Sequence, residues 1–125
     1  MEFKIDTKDT FSVITPVAGK IDANLAGALG EKCTQIRQSG SKNIIVDFQY
    51  CKEIDKSVIA ELVRLHEESY SQEESLVFTQ VNEKIMGVLK EDETDLLINI
   101  APRIDEAIDI ISMEILERDL FNEES

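Results

Sequence analysis

Residues 43–59 read NIIVDFQYCKEIDKSVI and place a strand, a loop and a helix start in succession. The first part, Asn43–Phe48, is apolar and β-branched, which is typical of a central strand buried on both faces of a parallel sheet. Gln49–Asp55 is expected to be a loop. From Val58 to Tyr70 apolar residues recur at helical spacing, and Asp55 is the natural N-cap of this helix. This succession indicates an α/β fold.

Upstream of this stretch, Phe3–Ile5 and Phe11–Val17 are two β-rich segments separated by a polar turn, so they predict an antiparallel hairpin. The following Gly19–Asp22 ends the second strand. Either Asp22 or Asn24 can then cap a helix, by accepting a hydrogen bond from a free first-turn amide. The apolar face of that helix consists of Leu25, Leu29, Cys33 and Ile36.

Downstream, strand and helix patterns continue to alternate. Leu76–Thr79 predicts a strand, Ile85–Leu89 a short helix and Leu96–Ile100 a last strand, after which Pro102 opens a final helix. The order β-β-α-β-α-β-α-β-α implies a largely parallel sheet with right-handed crossovers. We expect residues 1–125 to be one domain, with 118–125 a frayed acidic tail.

Composition limits the classes of partner. The chain has 125 residues and a formal net charge of −13, which disfavours nucleic acid and anionic membranes and favours a basic protein surface, unless the acids serve only solubility. Its apolar runs are too short to span a bilayer, and the N-terminus lacks the pattern of a secretory signal. We therefore expect a cytoplasmic protein without direct membrane insertion.

The residues that could carry chemistry are few. The chain has one histidine, His66, and lacks the GxSxG, GxGxxG and phosphate-loop motifs. His66 is expected at the boundary of the second helix, and the paired carboxylates are expected to face solvent. Cys33 and Cys51 lack the CxxC spacing of a redox or zinc site. The sequence thus predicts no enzyme activity, no cofactor and no metal.

Two short motifs point to a family. Gly19–Ala23 reads GKIDA after a strand, and Ile54–Ile59 reads IDKSVI after the buried strand that ends in VDF. Their order and spacing resemble the STAS domain family, the anti-sigma factor antagonists and related modules, where the patterns are G-E-L-D-A, V-L-D-L and L-D-S-S-G-L. The resemblance extends from Phe11 to Ile111. It implies a STAS-like α/β fold, a mixed, mostly parallel sheet with about four helices packed mainly on one face.

In this family the domain is a docking module, and the serine directly after the aspartate is phosphorylated by an anti-sigma factor that is itself a kinase. Here Asp55 matches the aspartate, but Lys56 replaces the acceptor serine. Ser57 matches the second serine and is a possible phosphorylation site. Either Asp55 neutralises Lys56, or Lys56 faces an acidic group on a partner.

The resemblance implies a partner-binding site made of Asp22, Asn24, Asp55, Lys56 and Ser57, although helix capping alone would also explain Asp22 and Asn24. It implies a non-catalytic anti-sigma factor antagonist in bacterial signalling, whose protein partner is an anti-sigma factor of the serine kinase type. The alternative is a structural STAS subunit of a larger assembly, such as a lipid-transport ABC complex or a stressosome-like particle. A homodimer and a small-molecule sensor both stay open.

Overall fold

The computed structural model describes residues 2–124 as alternating strands and helices. In chain order these are β1 (Glu2–Thr7), β2 (Ser12–Val17), β3 (Lys20–Ile21), α1 (Ala23–Gln38), β4 (Ile44–Asp47), β5 (Glu53–Ile54), α2 (Ile59–Ser71), β6 (Leu76–Thr79), α3 (Glu83–Glu91), β7 (Ile100–Ala101) and α4 (Ile104–Glu124). Two 3₁₀ turns, Lys56–Val58 and Thr94–Leu96, precede α2 and follow α3.

Within that range, the main sheet has five strands in the order β1-β2-β4-β6-β7. Strands β1 and β2 form the predicted antiparallel hairpin, and every other pair in this sheet is parallel. Strand β4 is central, and all four of its residues are buried. The mixed, mostly parallel sheet expected from the sequence is therefore confirmed.

The two faces of the sheet carry different cores. Ile44 and Val46 on one side of β4 pack with helices α1, α2 and α3 in the larger core, whereas Ile45 faces the smaller core. That smaller core includes Ala107 and Ile111 of α4. Because successive strand residues point to opposite faces, the apolar run of β4 supplies both cores. Helices thus pack mainly on one face, with α4 alone on the other.

Three local predictions need correction. Leu96–Ile100 is not a strand, because Leu96 lies in a 3₁₀ turn and only Ile100 belongs to β7. Leu96 and Leu97 are 75% and 56% exposed, so their apolar character does not mark a buried strand. The expected loop Gln49–Asp55 contains β5. Finally, Pro102 precedes the last helix, which begins at Ile104.

The end of α4 coincides with the tail expected to fray. The helix continues from Arg118 to Glu124, and Ser125 lies outside the described residues. From Asp119 to Asn122 every side chain is exposed, so this part of the helix has little tertiary packing. Fraying of 118–125 stays a prediction. Over residues 2–124, the structure has no helix long and apolar enough to cross a membrane.

Candidate functional site

A two-stranded parallel sheet brings two of the predicted site segments together. Strand β3 pairs with β5, with Lys20 opposite Glu53 and Ile21 opposite Ile54. The backbone N–H of Asp55 also donates to Ile21 O at 2.8 Å. Since Asp22 directly follows β3 and Asp55 directly follows β5, the start of α1 lies beside the turn that leads into α2. We call the surface formed by these two starts and α3 the capped edge.

Both aspartates cap the segments that follow them, as the sequence predicts. Asp22 Oδ1 accepts a hydrogen bond from Leu25 N at 2.9 Å, and Asp55 Oδ1 accepts one from Ser57 N at 3.1 Å. The bonds from Ser57 lower the pKa of Asp55, because they favour its charged form. Asn24 is exposed in the first turn of α1, and the capping role falls to Asp22.

Lys56 is neutralised by α3. Its Nζ lies 2.8 Å from Glu91 Oε2, and the two side chains are 60% and 56% exposed. The bond to Glu91 raises the pKa of Lys56, with Asp92 adding to the effect. Neither Asp55 nor a partner is needed to balance this charge. The ammonium group also lies at the C-terminal end of α3, where the helix dipole favours a cation.

Ser57 is exposed on the 3₁₀ turn, and it lines a shallow cleft of about 220 Å³ between this turn and the start of α1. Ala23, Ala26 and Gly27 form the opposite wall. A Cβ placed on Gly27 would meet no atom within 4 Å, so the cleft is open at that point. The small side chains leave Ser57 accessible from the α1 side.

Two contacts that the sequence did not predict hold helix α3 against β5 and the residue before it. Asn82 Oδ1 caps α3 by accepting from Ile85 N at 2.8 Å, while its Nδ2 donates to Lys52 O at 3.0 Å. Lys84 Nζ bonds Glu53 Oε2 at 3.1 Å, which lowers the pKa of Glu53. An asparagine directly before a helical pattern predicts an N-cap. Its second hydrogen bond, to Lys52, 30 residues away, could not be predicted from the sequence.

The buried carboxylate of Asp47 accepts hydrogen bonds from the segments that follow β4 and β6. Asp47 is 2% exposed at the end of β4. It accepts from Gln49 N at 3.0 Å and from Gln49 Nε2 at 2.7 Å, and Gln80 Nε2 reaches it at 3.2 Å. Gln80 has a left-handed backbone with φ of 55°, a conformation unusual for a side-chain-bearing residue. Asp47 thus ties together the chain segments that follow β4 and β6.

Cys51, just before β5, and His66, on α2, have side chains that are packed within the domain. Burial raises the pKa of Cys51 to about 11, so its thiol is protonated at neutral pH. His66 lies on α2, with its ring centroid 4.5 Å from that of Tyr70. In the part of the chain that the structure describes, no group of three His, Cys, Asp or Glu residues is arranged to hold a metal ion. Exposed charges and caps suit contact with another surface.

A sequence model described as the STAS domain matches residues 2–107. The chain belongs to the STAS domain family. The match ends four residues into α4, so most of that helix lies beyond it. No curated protein matches the chain.

Solved structures share the fold at low identity. The anti-sigma factor antagonist SpoIIAA, a Bacillus protein, is 18% identical in its unphosphorylated form, with a TM-score of 0.69 over 89% of this chain and 96% of its own. An anti-sigma factor antagonist from Mycobacterium paratuberculosis is 14% identical, with a TM-score of 0.70 and coverage of 89% and 93%. Moorella thermoacetica RsbS, with glutamate in place of a serine, is 16% identical, with a TM-score of 0.72 and coverage of 94% and 99%.

Proposed function

We propose that this STAS domain is a non-catalytic anti-sigma factor antagonist of the bacterial cytoplasm, which docks through the capped edge on an anti-sigma factor of the serine kinase type. Family membership supports a protein-interaction role. The geometry supports the location, because Asp22, Asn24, Asp55, Lys56 and Ser57 all lie on this one edge. The overall negative charge favours a partner with a basic surface.

The observation that carries the proposal is the Lys56–Glu91 ion pair at 2.8 Å. The family pattern places the phospho-acceptor serine at position 56, where this chain has a cation fastened to α3. A kinase that modifies hydroxyl groups has no target there. We infer that this antagonist binds its partner constitutively, because no phosphate can be added at position 56 to introduce negative charge at the start of α2.

Reversing the charge of Lys56 tests the docking site. Lys56→Glu replaces the ion pair with Glu91 by a repulsion, so the turn before α2 and the end of α3 no longer keep their arrangement at the docking site. Partner binding should therefore fall, while the urea midpoint stays nearly unchanged because the pair is exposed. Co-purification with the tagged full-length chain from its native cells, quantified by mass spectrometry, measures the binding. Lys42→Glu is the matched control, because Lys42 is exposed just before β4, away from the edge. Equal losses with both variants would count against the site.

Phosphorylation tests the constitutive interpretation. Wild-type protein incubated with the co-purified kinase and ATP should carry no phosphate on Ser57, whereas Lys56→Ser should gain phosphate at position 56. Moving the acceptor by one residue turns it by roughly 120° around the 3₁₀ turn, away from the phosphate donor. Stoichiometric phosphate on wild-type Ser57, located by tandem mass spectrometry, would show instead that the switch has moved by one position.

Lys56 also favours a second candidate, a structural subunit of a larger assembly, because such a subunit needs no phosphorylation. The assembly would be a lipid-transport ABC complex or a stressosome-like particle. The same co-purification separates the two functions. A soluble kinase-like protein supports the antagonist, whereas a membrane transporter or a particle of high mass supports the subunit.

A further inference from the structure

The C-terminal half of α4 extends past the body of the domain. Ile111 is its last buried residue, and beyond it the described side chains are either half-buried or exposed. The STAS match ends at residue 107, before this half begins. The ends of helices without tertiary packing are only marginally stable in water. A surface that packs on this segment would therefore stabilise it.

The exposed part of α4 carries an apolar stripe. Met113, Leu116, Leu120 and Phe121 are 61%, 59%, 52% and 72% exposed. Their spacing of three, seven and eight residues from Met113 places them on one side of the helix. We call these four residues the α4 stripe. Single exposed apolar residues are ordinary, but a contiguous row of them marks an interaction surface.

Acidic residues lie within and beside the α4 stripe. Asp109 and Glu117 lie four residues before and after Met113, so they share its face and lie among the apolar residues, while Asp119 lies three residues after Leu116 at the edge of the stripe. All three are exposed. The nearby cation Arg118 is turned toward the body, where its Nη2 donates to Ser75 Oγ at 2.9 Å. The surface that carries the stripe is thus negatively charged.

A groove of about 290 Å³ lies beside the stripe, between the end of α2 and α4, and its lining includes Glu73, Glu114, Glu117 and Phe121. Arg118 also lines it, but Glu114 Oε1 lies 3.8 Å from Arg118 Nη2 and offsets its charge. Glu114 is already bonded to Tyr70 and Ser75, whereas Glu73 and Glu117 are exposed. A long basic side chain entering this groove would lie along Phe121 with its charged end near those two carboxylates.

We propose that the α4 stripe binds a cationic amphipathic helix of a partner protein, whose apolar side chains cover the four apolar residues and whose lysines or arginines meet Asp109, Glu117 and Asp119. A second copy of this chain fits less well. It would bring the same acids against Asp109 and Glu117, in a chain of net charge −13. This site lies on the opposite sheet face from helices α1 to α3, and it does not depend on the function proposed for the capped edge.

A synthetic helix tests the proposal. The probe is a fluorescein-labelled peptide with leucine at the a and d heptad positions and lysine elsewhere, and its control has glutamate in place of every lysine. Fluorescence anisotropy against the full-length chain measures binding. We expect the lysine peptide alone to bind, and its affinity to fall as salt is raised.

Variants locate the binding site. The double variant Leu120→Ser with Phe121→Ser should weaken binding by about tenfold or more, as loss of central apolar anchors does. Leu96→Ser is the matched control, since Leu96 is 75% exposed on the 3₁₀ turn after α3, and it should bind like wild type. All positions changed are exposed, so circular dichroism should report an unaltered fold.

Several results would overturn the proposal. They are failure of the wild-type chain to bind the lysine peptide, equal binding by the double variant, and equal binding of the glutamate peptide. Sedimentation equilibrium supplies a further check. A wild-type dimer that the double variant abolishes would identify a second copy as the occupant of the stripe. A monomer in both cases, together with peptide binding lost in the double variant, supports the cationic helix.

Discussion

An ion pair lies near each end of helix α1, and the two pairs differ in burial. Near its start, Lys56 and Glu91 are 60% and 56% exposed. At its end, Arg37 Nε lies 3.7 Å from Glu74 Oε2, with both side chains 9% exposed. Arg37 Nη2 also donates to Ser69 Oγ at 2.6 Å. An exposed pair contributes little to stability, whereas a buried charge that loses its partner is costly. The capped edge is therefore free to change its charges, and the opposite end is not.

The largest expected effect is at the buried pair. Arg37→Met leaves Glu74 without its cation in a site that is closed to water, so the free energy of unfolding should fall by about 3 kcal/mol. Urea denaturation measures the loss. Arg64→Met is the control, because Arg64 bonds Glu61 and Glu68 but is 54% exposed. Comparable losses of unfolding free energy in the two variants would show that the buried and the exposed ion pairs contribute equally to stability.

A second test concerns the polar network at the same end. Tyr70 Oη donates to Glu114 Oε1 at 2.7 Å, and burial, followed by Glu114, raises the pKa of Tyr70 to about 12. Tyr70→Phe should lower the free energy of unfolding by about 1–2 kcal/mol, because Glu114 loses a donor in a partly buried site.

Tyr50→Phe is the matched control, and it should change the free energy of unfolding by less than about 0.5 kcal/mol, since surface substitutions have small effects. Tyr50 is 42% exposed and its hydroxyl meets Lys4 Nζ at 3.5 Å. If Tyr70→Phe left the free energy of unfolding unchanged, the hydrogen-bond network around Glu114 would not contribute to stability.

The central strand and the caps were predictable because their signals are local. The β-branched run Ile44–Val46 is typical of a strand buried on both faces, and Asp22 and Asp55 precede helical patterns within three residues. The strand predicted at Leu96–Ile100 was wrong because an apolar run in a sequence does not reveal whether its side chains are buried or exposed. Glu93, with φ of 58°, turns the chain into a 3₁₀ turn there, and a left-handed glutamate has no sequence signature.

The site was predictable as a set of positions but not as a set of contacts. Strands β3 and β5 have two residues each, too few for any periodicity to appear. Lys56 and Glu91 are distant in sequence, as are Arg37 and Glu74, so only the packing of helices decides which acid meets which base. The sequence therefore indicated that Lys56 needed compensation, but it did not point to Glu91 as the residue that supplies it.

The exposed pair supplies the third test. Lys56→Ser removes the cation from an exposed site, so the urea midpoint and slope should match wild type within error. Glu91→Gln should behave alike, because neither side chain is left buried without a partner. Any loss of stability approaching that of Arg37→Met would show that the pair stabilises the fold, and the assignment of Lys56 to docking would then lose its basis.

The smallest effect is expected from His66, which is half-buried on α2 against Tyr70. Burial lowers the pKa of His66 below its ordinary value of 6.5, although Glu114 and Glu67 oppose the shift. The unfolded chain therefore binds more protons than the folded chain as the pH falls below that value, and stability is lost there. His66→Gln should remove this component. Urea midpoints at pH 7.5 and 5.5 should differ more for wild type than for His66→Gln, while contributions from the carboxylates cancel. A larger pH dependence in the variant would mean that Glu114 and Glu67, rather than burial, control the imidazole.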